Sequence, residues 1–193
     1  MVIAFGLERY EINKRACLAL FVVVLILLVG CKPNSSAVLS AIEKMEEQPT
    51  LLVKDLSTLV SDSGKIKYKL VTPELLEFDS KSEPYMEFKQ GLQITSYDLQ
   101  MQVNAEIKGN YAKRFTKKDL WVLRNDVQAR NLEGSLINTE ELYWDRISKR
   151  IYSDKFIKIT SKSEVITGIG FESNEDFTKY KILKVNGIID ISE

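Results

Sequence analysis

One ten-residue run limits the possible folds more than any other feature of the chain. Leu99, Met101, Val103, Ala105 and Ile107 alternate with Gln100, Gln102, Asn104, Glu106 and Lys108. Successive side chains of an extended strand point to opposite faces, so the run predicts a half-buried antiparallel strand. Shorter alternations occur at Ile66-Tyr68-Leu70, Trp121-Leu123 continuing to Val127-Ala129, Leu142-Trp144, Ile157-Ile159 and Tyr180-Ile182. Reversal signals fall at Asp62-Ser63-Gly64-Lys65, Glu133-Gly134, Asp145 to Lys149, Ser161 to Ser163 and Asn186-Gly187. Gly64 supplies the positive φ that a tight hairpin needs. Pro73 and Pro84 read as strand-edge residues, and a slip at Leu183-Lys184 predicts a bulge in the last strand. Short strands about ten residues apart, with no long helix, predict an all-β sandwich, barrel or jelly roll.

The front of the chain reads differently. Lys14 and Arg15 precede an unbroken apolar run from Ala16 to Val29, followed by Gly30 and Cys31. A basic flank, a short apolar core and a small residue form the order of a secretory signal. Leu28-Val29-Gly30-Cys31 also resembles a bacterial lipobox, which implies that Cys31 becomes the acylated mature N-terminus and that Cys17 is discarded. A retained helix is the alternative. Its fourteen apolar residues would reach about 21 Å, short of the ~30 Å hydrocarbon core. Both readings place the body outside the cytoplasm. The expected organisation is a signal or anchor at 1–30, a tether at 31–49 and a β domain at 50–193. Ser40 to Gln48 has the composition of a short helix or further linker.

Charge and composition exclude several functions. Lys+Arg and Asp+Glu both total 27, so no basic surplus exists to displace phosphate counterions, and nucleic acid is not an expected partner. The chain contains no histidine and two cysteines, which removes Ser-His-Asp and Cys-His catalysis, His-ligated zinc and Cys-rich metal sites. No phosphate loop, dinucleotide fingerprint or nucleophile elbow is present. Glu46-Glu47, Glu140-Glu141 and Glu175-Asp176 are adjacent pairs, whereas glycosidase chemistry needs two carboxylates converging from separate strands; they read as solvated or turn residues. An enzyme is not expected, nor any cofactor.

Asp119-Leu120-Trp121-Val122-Leu123-Arg124-Asn125-Asp126-Val127 is followed by Asn131-Leu132-Glu133-Gly134, Thr139-Glu140-Glu141-Leu142-Tyr143-Trp144-Asp145 and Lys149-Arg150-Ile151-Tyr152-Ser153-Asp154. Thr167-Gly168-Ile169-Gly170-Phe171-Glu172-Ser173-Asn174 completes the series, with Asp62 to Tyr68 upstream. In order and spacing these stretches resemble the LptC family of lipopolysaccharide-export proteins, in the version typical of Bacteroidetes, over about residues 50 to 190. The resemblance implies a twisted β-jellyroll at the periplasmic face of the inner membrane. It also implies a non-enzymatic relay, which takes lipopolysaccharide from an ATP-driven ABC transporter and passes it along a groove to a periplasmic bridge protein. Many such proteins carry a plain membrane-spanning helix where this chain has a lipobox.

The resemblance and the strand pattern together nominate residues. The lipid groove is expected to be lined by Phe88, Leu92, Ile94, Met101, Val103, Trp121, Leu123, Leu142, Trp144, Ile157, Ile159 and Tyr180. Each also reads as ordinary sandwich core. Family analogy assigns partner docking to the strands around Gly64 and Tyr68 at one edge and to Tyr180 and Ile182 at the other, by strand addition. Two further functions remain open: a non-transporting scaffold of the export complex, and an outer-membrane or surface lipoprotein that binds glycan or protein.

Overall fold

The computed structural model describes residues 48–191. The signal segment, Cys31 and the proposed tether helix up to residue 47 lie outside the described residues. The described chain forms eleven strands: β1 (Leu51–Asp62), β2 (Lys65–Phe78), β3 (Tyr85–Phe88), β4 (Leu92–Tyr97), β5 (Val103–Gly109), β6 (Tyr111–Phe115), β7 (Leu120–Asn131), β8 (Leu136–Asp145), β9 (Arg150–Thr160), β10 (Glu164–Asn174) and β11 (Tyr180–Asp190). All pair antiparallel in the order β11-β10-β9-β8-β7-β5-β4-β2-β3-β6, with β1 on β2 and β6 returning to β7. The all-β expectation holds, and the sheet is that of a jellyroll.

A row of bends folds this sheet into two walls. In β7, residues Leu120–Arg124 pair with β6 and Gln128–Asn131 pair with β5. In β2, Tyr68–Val71 pair with β4 and Leu76–Phe78 pair with β3. Registers break at the same level in the later strands, between Thr139 and Tyr143 and between Ile169 and Phe171. The bend residues suit the task. Asp55, Asn125 and Asp126 take φ of 51°, 62° and 54°, and Gly91 and Gly170 take 94° and 79°; Asp, Asn and Gly tolerate this left-handed region best. Pro73 sits opposite Asp55, where β2 changes partner from β4 to β3, so its missing N–H leaves no ladder bond unmade.

Between the walls lies one apolar core. Leu70, Ile94, Ile107, Val127, Ile137, Ile157 and Ile159 come from one wall, and Phe88, Trp121, Leu123, Leu142, Trp144, Ile151 and Phe171 from the other. Burying side chains of this size is worth roughly 1.5–3 kcal/mol each.

The structure corrects four expectations. The alternating run is a strand only from Val103 onward. Before it, Asp98 Oδ1 accepts the Gln100 and Gln102 amides, both at 2.9 Å, and Met101 takes φ +62°. This capped turn presents Leu99 and Met101 to solvent in place of pleating them inward. Asn186-Gly187 is no reversal, because both residues lie inside β11. The bulge in β11 falls at Asn186, where Thr167 pairs with Gly187 and Gly168 with Val185, not at Leu183-Lys184. Finally, Glu141 is buried; its carboxylate binds Arg124 Nε and accepts the Tyr143 hydroxyl at 2.8 Å. Glu140 faces out and Glu141 lies buried under Arg124; the alternation of faces breaks one residue later, where the bend leaves Glu141 and Leu142 both buried. The remaining expected turns hold, Ser63-Gly64 as a two-residue hairpin with both φ positive.

Candidate functional site

The walls meet at the bends, so their opposite ends form a mouth. Loops from one wall reach strands of the other there. The Tyr68 and Trp144 rings cross edge-to-face at 5.8 Å, and Arg146 Nη1 donates to the Tyr68 hydroxyl at 2.6 Å. Asn131 Nδ2 donates to the Phe177 carbonyl at 3.4 Å. Phe177 itself is 0% exposed although it belongs to the polar loop between β10 and β11. Its ring stacks on Phe171 at 6.4 Å, and its φ of +57° carries a cost of order 1–3 kcal/mol. The same loop is tied down by Trp144 Nε1, which donates to Glu175 Oε1 at 2.8 Å. A cavity of about 260 Å³ at this mouth is lined by Tyr68, Tyr97, Asn104, Trp144, Arg146 and Glu175, among others.

Behind the mouth runs a row of rings. Phe88 stacks on Trp121 at 5.8 Å and Trp121 on Trp144 at 5.9 Å, with Tyr68 closing the row. The Arg114 guanidinium lies 5.2 Å from the Trp121 ring, and that of Arg146 lies 4.9 Å and 5.3 Å from Tyr68 and Trp144. Asp119 Oδ1 accepts Arg114 Nη2 at 2.8 Å, and Asp119 Oδ2 is 3.8 Å from Arg146 Nε. The rim therefore carries paired arginines and acids over an aromatic floor, and cations over ring faces hold both in place.

Nine of the twelve nominated groove residues share this interior: Phe88, Leu92, Ile94, Trp121, Leu123, Leu142, Trp144, Ile157 and Ile159, each 5% exposed or less. In this structure they close on one another, and the mouth contacts shut water out. Met101, Val103 and Tyr180 are not part of that interior. They are 47%, 42% and 40% exposed: Met101 in the capped turn, Val103 at the start of β5, Tyr180 at the start of edge strand β11. Tyr68, nominated for docking, is buried at the mouth. Gly64 stands in open space at the hairpin tip, and Ile182 packs partly against the core from β11.

Large apolar side chains collect on the two edge strands. Leu51, Leu52 and Leu59 of β1 are exposed, as are Leu183, Val185, Ile188 and Ile189 of β11. Among the described residues each of these strands has one neighbour in the sheet, β2 and β10 respectively, and Val53, Leu56, Val60 and Ile182 lean from them onto the core. Sequence reasoning missed Asn131, Arg146, Phe171, Glu175 and Phe177. The one available signal was an aromatic residue, Phe177, set inside the polar turn Glu175-Asp176-Phe177-Thr178-Lys179.

Among the described residues no helix is long and apolar enough to cross a membrane, and no group of three acids, cysteines or histidines is placed to hold a metal ion. The family model described as lipopolysaccharide-assembly, LptC-related, matches residues 17–190. A search of curated proteins finds no match.

Proposed function

Since this chain belongs to the LptC-related lipopolysaccharide-assembly family, and so to lipopolysaccharide transport, we propose that it relays lipopolysaccharide through the space between its two walls. Acyl chains enter at the mouth and lie against the aromatic row, while sugar and phosphate stay at the polar rim, within reach of Lys67, Arg146 and Lys149. Each CH₂ so buried is worth about 0.8 kcal/mol. The protein works at the periplasmic face of the inner membrane, held there by a lipidated Cys31 or by its uncleaved N-terminal segment. It receives lipid from the ABC transporter, whose ATP supplies the energy, and delivers it to the periplasmic bridge protein. Strand β1 docks at one end and β11 at the other, each turning its outer edge and an apolar face toward a neighbouring sheet.

One observation carries this reading: an apolar interior joined across its mouth by a few side-chain contacts, with an apolar strand paired along one side at either end of the sheet. The closure of that interior favours a second reading, in which the domain only stabilises the transporter complex. Depletion of the protein tests the role itself. Newly made lipopolysaccharide, pulse-labelled and followed by membrane fractionation, should stall in the inner membrane; undiminished arrival at the outer membrane would refute both readings.

A further inference from the structure

Two indoles stack side by side behind the mouth, and only one of them is satisfied. Trp144 Nε1 donates to Glu175. Trp121 is 0% exposed, and its Nε1 has no hydrogen-bond partner among the described residues. A buried donor without an acceptor is uncommon and costly, because it has lost water and gained nothing. The surroundings offer Trp121 no acceptor: Phe88 and Trp144 stack on it, the Arg114 guanidinium lies 5.2 Å from its ring, and Leu123 and Leu142 belong to the same cluster.

We propose that Trp121 Nε1 is the hydrogen-bond donor for an oxygen near the head end of a bound acyl chain, an ester or amide carbonyl or a chain hydroxyl. This rests on the reading of the interior as an acyl-chain slot and names the chemistry it selects. Position supports the assignment. Trp121 is the second residue of β7 and pairs with Trp144, so the orphan donor lies just inside the mouth. An amphiphile whose sugar stays at the rim puts its first chain carbons, and the oxygens they carry, at that depth. An ionised acceptor gives up far more on leaving water for a fully buried site than a neutral oxygen does, and the neutral oxygen gains a waiting N–H.

The test uses the full chain and three glycosides of one sugar and one chain length: a dodecyl ether, a dodecanoyl ester and a 3-hydroxydodecanoyl ester. Calorimetric titration should rank one or both esters about 5- to 10-fold tighter than the ether, and the difference between the two esters tells carbonyl from hydroxyl. Trp121→Phe should erase the preference, read as the ester-to-ether affinity ratio within that variant. Because Phe is smaller than Trp, 3-benzothienylalanine at position 121 repeats the test with the ring shape kept and the N–H gone. Equal affinity for all three in the native chain overturns the donor role alone, as does a preference that survives either replacement. A native chain that binds none of them contradicts the acyl-slot reading itself.

Discussion

The Tyr111 hydroxyl donates to Glu87 Oε1 at 2.7 Å, and burial first, then that bond, push its pKa up to about 12. The fold therefore prefers the neutral phenol. Its contribution to stability is complete below the ordinary tyrosine value near 10 and is lost as pH rises from there through about 12. Unfolding free energy measured from pH 9 to 12 should fall more steeply for the native chain than for Tyr111→Phe; parallel curves would contradict the raised pKa. Single residues also mark where the sequence was hard to read. Phe177 follows the acid pair Glu175-Asp176 in a polar turn and drew no reading from the sequence, yet it is core, because its strained backbone aims the ring between the walls. Met101 looked like core and is loop, because Asp98 caps the turn before the strand can begin. Neither outcome follows from period-two alternation, since both are set by local turn chemistry.

Edge strand β11 shows how one backbone position secures an element. Gly168 faces it so closely that a Cβ there would lie 2.4 Å from Ile182 Cγ2 and 2.5 Å from the Lys184 carbonyl. The isoleucine methyl can turn away, but the carbonyl cannot move without β11. Gly168→Ala should cost roughly 1–3 kcal/mol and act first on β11. Hydrogen exchange should speed up about tenfold or more at Ile182–Val185, with β7 to β9 unchanged; native protection in β11 would contradict the packing. Strand identity was largely legible in the sequence, because Trp121, Leu123, Leu142, Ile157 and Ile159 alternate as they must on a buried face. The bends were not. Asn125-Asp126 and Gly170 carry positive φ, yet in sequence they read as polar or small residues within strands. The Asn186 bulge likewise left its only trace in a slip of pattern, which pointed a few residues too early.

At the scale of the whole molecule, the proposed relay depends on two walls that bend along one line and are tied across the other. Cross-wall ties are few: Arg146 to Tyr68, Tyr68 to Trp144, and Asn131 to the Phe177 carbonyl. The sequence made the walls legible through their apolar faces and, through its resemblance, the family. It hid the mouth, whose contacts join residues 46 to 78 positions apart. The most direct measurement is photocrosslinking in cells from p-benzoylphenylalanine placed at the inward positions Phe88 and Phe171 and at the outward position Phe156. The relay predicts adducts with lipopolysaccharide at Phe88 and Phe171 that require an active transporter, and none at Phe156. Export that continues with no adduct at either inward position would contradict it.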